Sequence, residues 1–127
     1  MTQTELRIAV VDDDASVLKA MVRLLRASGF EVMSFASGRE FLKACEQTMP
    51  DCVVMDVHMP GMTGLDVHAA MLDQHLQLPV IFITAYNDAG LRQRAKEQGA
   101  VAFLSKPLIA QTLLDAIQQS VKLKQQI

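Results

Sequence analysis

The sequence predicts one α/β domain built on a five-stranded, doubly wound parallel sheet. Along its 127 residues, short apolar segments alternate five times with segments in which apolar residues recur at helical spacing. The segment Cys52–Met55 is apolar throughout, as expected of a strand buried on both faces of a parallel sheet. Strands joined by helices of this length run parallel, through right-handed crossovers.

The first two predicted strands differ in polarity. Leu6–Val11 is mostly apolar and is followed by three aspartates, the last of which, Asp14, is the predicted N-cap of a helix over Ala15–Ser28. The apolar residues of that helix fall on one face, and Gly29 is a natural stop. Glu31–Phe35 alternates polar and apolar residues, which favours a strand at the edge of the sheet.

The middle of the chain contains the central strand and a helix on either side of it. Ser37 and Glu40 form a capping-box pattern at the start of a helix that extends to about Gln47. The proline and glycines that follow the central strand favour a loop. Beyond that loop, a helix is predicted from Leu65 to about Gln74.

The last third of the chain contains two strands and two helices. Pro79–Ile83 is predicted as the fourth strand, ending at Thr84, and Val101–Leu104 as the fifth. Between them, Asn87–Gln98 has poor amphipathicity and a glycine in its first turn, so we expect it to be the least stable helix. A final helix is predicted over about Ile109–Leu123.

Composition argues against several classes of protein. Hydrophobic residues make up 50% of the chain and charged residues 20%, which is typical of a globular domain and not of a disordered one. A net charge of -2 gives no electrostatic basis for nucleic acid binding by this chain. The apolar segments are too short to cross a bilayer, and the N-terminus lacks a signal-peptide pattern. Cys45 and Cys52 are interpreted as reduced core thiols of a cytoplasmic protein.

Polar residues follow four of the predicted strands. Asp12 and Asp13 come after the first strand, Asp56 after the third, Thr84 after the fourth and Lys106 after the fifth. In open α/β sheets, ligands bind at the carboxyl ends of the strands, so we expect these side chains to converge. Any one of them alone is more simply a cap, a turn residue or a solvated charge. Their placement at four strand ends favours a shared site.

The chemistry of this group favours Mg²⁺-dependent phosphoryl transfer. Crowded carboxylates repel one another, and a hard divalent cation such as Mg²⁺ or Mn²⁺, which prefers oxygen ligands, relieves that repulsion. A carboxylate such as that of Asp56 can also attack phosphorus and form an acyl phosphate. Lys106 and the Thr84 hydroxyl can bind the oxygens of the transferred group. The sequence shows no Gly-rich phosphate loop, Ser-His-Asp order or zinc spacing that would favour another chemistry.

With these residues in view, essentially the whole chain resembles the receiver domain of bacterial two-component response regulators. Four segments match in order and spacing: Val10-Val11-Asp12-Asp13, Met55-Asp56-Val57-His58-Met59-Pro60-Gly61-Met62-Thr63-Gly64, Ile83-Thr84-Ala85 and Ser105-Lys106-Pro107. The resemblance implies a flavodoxin-like fold with strand order 2-1-3-4-5. It also implies a receiver domain over residues 1–123, with 124–127 as a tail or the start of a linker.

The resemblance further implies the reaction and its cofactor. Asp56 would accept a phosphoryl group from a phosphohistidine of a sensor histidine kinase or phosphotransfer protein. Asp13, Asp56 and the backbone carbonyl of His58 would bind Mg²⁺ directly, and Asp12 mainly through a metal-bound water. Lys106 would bind the phosphate, and its peptide bond to Pro107 is expected to be cis.

The resemblance also names the residues of a switch. Thr84 would be drawn toward the phosphate, and Phe103, where the family frequently has Tyr, would turn inward behind it without a hydroxyl to fix it. His58 and Tyr86 each follow an active-site residue by two positions and would tune the lifetime of the phosphoryl group. His68 and His75 are expected to be solvated helix residues.

The resemblance leaves the output and two alternative functions open. The sequence around Phe103 is similar to that of regulators with a helix-turn-helix output. Phosphorylation-dependent homodimerisation is a further expectation. Neither nucleic acid nor membrane binding is expected of this domain. A Mg²⁺-dependent phosphohydrolase with an aspartyl nucleophile would commonly have an acid at the position of His58 and a cap domain. A degenerate receiver that only binds a partner would have lost an acid, the Thr or the Lys, and this chain retains them all.

Overall fold

The computed structural model describes residues 6–86 and 88–125, which form a five-stranded parallel sheet in the order β2-β1-β3-β4-β5. This confirms the predicted flavodoxin-like fold. Its strands are β1 Arg7–Val11, β2 Glu31–Phe35, β3 Cys52–Asp56, β4 Val80–Thr84 and β5 Ala102–Ser105.

Five helices connect and follow the strands: α1 Ala15–Ala27, α2 Gly38–Cys45, α3 Gly64–Asp73, α4 Ala89–Glu97 and α5 Ala110–Gln125. Helix α5 continues to Gln125, and the domain boundary at residue 123 stays a prediction. Residues 1–5, 126 and 127, and Asn87, with which α4 was predicted to begin, lie outside the described residues. No helix in the described ranges is long and apolar enough to cross a membrane.

Alternate residues of the strands contribute to two separate hydrophobic cores, one on each face of the sheet. From β1, Ala9 and Val11 pack with residues of α2, α3 and α4, whereas Ile8 and Val10 pack with residues of α1 and α5. This follows from the two-residue period of a strand, whose successive side chains point to opposite faces. Because β3 and β4 are buried along their whole length and β2 is only partly buried, the predicted central and edge positions are confirmed.

The two cysteines lie in different cores, on opposite faces of the sheet. Cys45 belongs to the cluster that contains α2, and Cys52 belongs to the cluster that contains α5, where Ser120 donates a hydrogen bond to its Sγ at 3.3 Å. Burial raises the pKa of the Cys45 thiol above its usual value, which favours the neutral form. Their interpretation as separate core thiols is confirmed.

Helix caps fix the points at which the chain leaves the sheet. The Asp14 carboxylate accepts hydrogen bonds from the backbone N–H groups of Ser16 and Val17, as predicted for the α1 N-cap. At α2, Ser37 accepts from the N–H of Glu40, the first half of a capping box. A complete, reciprocal box occurs instead at α3, between Thr63 and Asp66, directly after the loop that follows Asp56.

The expectation that His68 is a solvated helix residue was wrong. The side chain is only 4% exposed, and its ring packs edge-on against Phe82 of β4 at a centroid distance of 5.6 Å. His68 follows Leu65 by three positions and precedes Met71 by three, so it lies on the buried stripe of α3. Burial lowers the pKa of His68, and the nearby Gln98 side chain opposes that shift. His75, in contrast, is exposed as expected, although it lies beyond the end of α3 at Asp73 and not in the helix.

The burial of His68 predicts an acid-dependent loss of stability. At a pH below 6.5, the ordinary pKa of histidine, His68 of the unfolded chain binds a proton. The native imidazole has a lowered pKa and therefore stays neutral to a lower pH. The free energy of unfolding of the wild type should therefore fall, relative to His68→Gln, as the pH decreases from about 7 to about 5. Urea unfolding at several pH values measures this difference. His75→Asn is the matched control, whose profile should follow that of the wild type because His75 is exposed; parallel profiles for all three proteins would contradict the prediction.

Candidate functional site

The ends of four parallel strands place the predicted site residues at one edge of the sheet. Asp12 follows β1, and its N–H donates a hydrogen bond to the carbonyl of Phe35 at 3.1 Å. Asp56 and Thr84 are the last residues of β3 and β4. Lys106 follows β5, and its N–H donates to the Thr84 carbonyl at 2.7 Å. The backbone hydrogen bonds of the sheet therefore set the positions of these side chains.

Three carboxylates meet at this edge. One oxygen from each of Asp12, Asp13 and Asp56 lies within 4.8 Å of the other two. Asp12 is fully buried and Asp56 is 5% exposed, whereas Asp13 faces solvent. Asp13 is therefore the carboxylate through which solvent reaches the cluster.

Backbone hydrogen bonds orient the two buried carboxylates in the same way. The N–H of Asp14 donates to Asp12 Oδ1 at 2.9 Å, and the N–H of His58 donates to Asp56 Oδ1 at 3.3 Å. The second oxygens of both carboxylates then face one ammonium group. Lys106 Nζ lies 3.3 Å from Asp12 Oδ2 and 3.5 Å from Asp56 Oδ2.

One lysine does not balance three carboxylates. Burial is the main cause that raises the pKa of Asp56, and repulsion from Asp12 adds to it, while Lys106 opposes both. Asp12 Oδ2 forms an ion pair with Lys106. This buried oxygen accepts no hydrogen bond from any of the described residues. A buried oxygen of this kind beside two further carboxylates fits a hard cation, and the oxygen donors suit Mg²⁺.

The Thr84 hydroxyl is directed toward the β4–α4 connection. It accepts a hydrogen bond from the N–H of Tyr86 at 3.0 Å and lies 3.2 Å from the Tyr86 carbonyl, to which it donates. The side chain is fully buried. Any movement of this hydroxyl toward Asp56 must therefore exchange the Tyr86 contacts for new ones.

His58 and Tyr86 form a pair of rings beside the site. Their centroids are 4.9 Å apart and the rings meet edge to face. Both residues are exposed, Tyr86 to 63%. The loops after β3 and β4 thus contact one another through these two side chains.

Sequence reasoning gave no role to two residues that matter for the site, Gly64 and Arg92. A Cβ on Gly64 would lie only 2.4 Å from the backbone oxygen of Asp56, so a side chain here would displace the end of β3. Phe103 is half-buried, and the guanidinium of Arg92 lies over its ring, 4.9 Å from the centroid. Gly64 carries a signal, since it follows the strand and opens α3, whereas the Arg92 contact has none in the sequence. The expected cis bond between Lys106 and Pro107 is confirmed.

The family model of the response regulator receiver domain matches residues 8–118. The chain belongs to the response regulator receiver family. The receiver domain shares 43% identity over 117 residues with Nodulation protein W of Bradyrhizobium diazoefficiens, covering 90% of this chain and 50% of that protein. It shares 38% identity with the response regulator protein TmoT of Ectopseudomonas mendocina, covering 99% of this chain and 57% of TmoT. The chain thus spans about half the length of these curated relatives.

Solved structures agree with this assignment. A response regulator receiver domain protein from Clostridium thermocellum superposes with a TM-score of 0.89 at 29% identity, covering 95% of this chain and 98% of that one. The crystal structure of FixJ-N gives a TM-score of 0.88 at 28% identity, with 96% of each chain covered.

The raised pKa of Asp56 predicts how stability changes with pH without divalent metal. The native state takes up a proton at Asp56 at a higher pH than the unfolded chain does, because the pKa of this carboxyl in the unfolded chain has its ordinary value of 3.8. The wild type should therefore gain stability, relative to Asp56→Asn, as the pH falls from about 7 toward that value. At neutral pH in EDTA, Asp56→Asn should be the more stable protein, because it removes a buried charge. Urea unfolding of both proteins tests this, and His68 contributes equally to both; a constant difference across the range would contradict it.

Proposed function

We propose that this receiver domain accepts a phosphoryl group on Asp56 from a phosphohistidine of a sensor histidine kinase or phosphotransfer protein. Receiver domains are phosphorylation-dependent switches, and the family match covers most of the chain. The observation that carries the residue assignment is the position of Lys106 Nζ, between the second oxygens of Asp12 and Asp56. Those oxygens face the one cation that the described site residues supply.

The geometry supports an attack by Asp56 on phosphorus. The carboxylate oxygen forms a bond to phosphorus as the P–N bond of the phosphohistidine breaks, and the released imidazole takes up a proton. Lys106, already 3.5 Å from Asp56 Oδ2, pairs with the oxygens of the incoming group. Because burial raises the pKa of Asp56, positive charge beside it favours the ionised form that can attack.

Asp12, Asp13 and Asp56 would hold the Mg²⁺ that the family implies, with Mn²⁺ as a substitute of similar ligand preference. When bound, the ion neutralises negative charge on the phosphoryl oxygens. The backbone carbonyl of His58 stays a prediction as a further ligand. The protein's own part is to present two buried carboxylates that backbone N–H groups have already oriented.

The two alternative functions lack comparable support. A phosphohydrolase with an aspartyl nucleophile would commonly have a second acid two residues after Asp56, where this chain has His58, whose ring instead packs on Tyr86. A degenerate receiver that only binds a partner has no use for the paired carboxylates and Lys106, which are all in place.

We propose that His58 and Tyr86 act together, as one ring pair that limits the approach of water to the aspartyl phosphate.

We propose that the donor protein docks in a groove between α1 and the start of α5. The groove has a volume of about 380 Å³ and is lined mainly by apolar side chains, among them Met21, Leu24 and Leu108. Lys106 lines the same groove and contacts Asp56, so a partner seated there would be next to the acceptor. Ile109, which lies in the chain between the lining residues Leu108 and Ala110, is 68% exposed.

The output that this switch controls is proposed from the relatives. TdiR of Thauera aromatica is named a transcriptional regulatory protein, and it is 38% identical to this chain over 120 residues. We propose that phosphorylation here also controls transcription, through a DNA-binding segment that this chain does not include, with a phosphorylation-dependent homodimer as the active form. The receiver domain itself would then act as a switch and not as a turnover enzyme.

Phosphorylation is the first test of this proposal. With Mg²⁺ and acetyl phosphate or phosphoramidate, the wild type should take up one phosphoryl group, and Asp56→Asn should take up none. Intact-mass spectrometry measures the uptake, and Asp73→Asn, an exposed position at the end of α3, is the control that should still be labelled. Undiminished labelling of Asp56→Asn would refute the assignment, and continuous phosphate release without labelling would favour the hydrolase.

Binding of Mg²⁺ is tested without any phosphodonor. At a concentration one hundred times its dissociation constant, Mg²⁺ should add about 2.7 kcal/mol to the free energy of unfolding. Asp13→Asn should abolish most of this gain, because it removes the exposed carboxylate of the cluster. Asp14→Asn is the matched control, since Asn also caps α1 and Asp14 is directed at helix N–H groups. Equal Mg²⁺ responses in the two variants would show that the three acids do not form one site.

A further inference from the structure

Helix α4 has few apolar contacts with the rest of the domain. Of its nine residues, Ala95 is buried and Leu91 is half-buried, while Gly90 lies in the first turn. Glycine near the start of a helix lowers its intrinsic stability. Contacts made by the polar side chains of α4 therefore matter more for its position than they would on a well-buried helix.

Arg92 of α4 makes two contacts with the same residue of β5. Its guanidinium carbon lies 4.9 Å from the centroid of the Phe103 ring, within the range of a cation–π interaction. Its Nη1 also donates a hydrogen bond to the Phe103 carbonyl at 3.3 Å. Arg92 thus holds both the ring and the backbone of Phe103, and it covers the ring on the solvent side.

The ring that Arg92 covers shares a face of the sheet with Thr84. Phe103 is the register partner of Phe82, and Thr84, two residues further along β4, is the partner of Ser105. Side chains two residues apart on a strand point to the same face. Phe103 and Thr84 are therefore close neighbours on the α4 side of the sheet, where Phe103 packs against the same core as Ala95.

We propose that Arg92 is a positioning residue that holds the Phe103 ring in its half-buried orientation beneath the guanidinium and so biases the domain toward its unphosphorylated conformation. The inference rests on the proposed phosphorylation of Asp56. Phe103 has no hydroxyl that a hydrogen bond could fix, so its orientation depends on packing and on the guanidinium above it. If the ring turns inward, it loses its contact with the Arg92 guanidinium. New contacts in the phosphorylated form must then offset the free energy of the lost contact.

Arg92→Ala tests this directly, because alanine suits an exposed helix position and leaves the ring uncovered. Loss of an exposed cation–π contact corresponds to a shift of about two- to five-fold in the resting equilibrium. The apparent dissociation constant for beryllium fluoride with Mg²⁺, used as a phosphoryl mimic at Asp56, should fall by the same factor, since more of the free protein is competent. Arg94→Ala, on the same helix and equally exposed, is the matched control and should bind as the wild type does.

A double-mutant cycle separates positioning through the ring from a general effect on α4. In a Phe103→Leu background, Arg92→Ala should no longer change the affinity for beryllium fluoride. In the wild-type background, Arg92→Lys keeps a cation near the ring and should lower the dissociation constant less than Arg92→Ala does. In the metal-free, unphosphorylated protein, the NMR signals of the Phe103 ring should shift on Arg92→Ala and stay unchanged on Arg94→Ala. Urea unfolding verifies that each variant is folded.

The possible failures are distinguishable. If the wild type neither binds beryllium fluoride nor accepts a phosphoryl group, the proposed function fails and this inference fails with it. If the wild type responds but Arg92→Ala matches it in affinity and in ring signals, only the role of Arg92 is refuted. An Arg92→Ala effect of the same size in the Phe103→Leu background would also refute it, because Arg92 would then act through another contact.

Discussion

The structure depends on two buried carboxylates that face a single ammonium group. Asp12 and Asp56 lie almost out of contact with water, where an unbalanced charge is expensive, and Lys106 reaches both. A third carboxylate, on Asp13, leaves the cluster with excess negative charge. Burial is the main cause of the raised pKa of Asp56, and repulsion from Asp12 and Asp13 adds to it while Lys106 opposes it. A site left this far from neutrality responds strongly to whatever cation or phosphoryl group enters it.

A parallel sheet is what makes such an arrangement possible. Carboxyl ends of neighbouring strands meet at one edge, so residues far apart in the chain come together without long loops. The register places Asp56 beside Ile83 and Thr84 beside Ser105, directly before Lys106. Gly64 then lets the next turn approach the carbonyl of Asp56 more closely than any side chain would permit. The strands determine where the site side chains lie, and the short polar segments at and after the strand ends contribute the reactive groups.

The fold and the members of the site were predictable because their signals are local. Apolar segments that end in polar residues mark strand ends, and Asp14 caps α1 as its place in the sequence indicates. His68 was missed because a single histidine was treated as solvated, although its spacing from Leu65 and Met71 places it on the buried stripe. Neither the direction of the Thr84 hydroxyl nor the reach of Arg92 to Phe103 could be read from the sequence. Both depend on how α4 and its preceding loop settle on the sheet, which is decided by packing and not by residue order.

The weak attachment of α4 and the charge imbalance at Asp56 are complementary. A ligand can shift a conformational equilibrium only by the difference between its affinities for the two states, so the contacts that hold the resting state set how much a phosphoryl group must supply. Among the described residues, those contacts include two hydrogen bonds between Thr84 and Tyr86, of a kind worth roughly 0.5–1.5 kcal/mol each, and the ring contact and hydrogen bond that Arg92 makes with Phe103. Charge-assisted hydrogen bonds from a dianion are about twice as strong as neutral ones, so one phosphoryl group at Asp56 is enough to compete with them. A more deeply packed α4 would make the domain more stable and, by the same argument, a poorer switch.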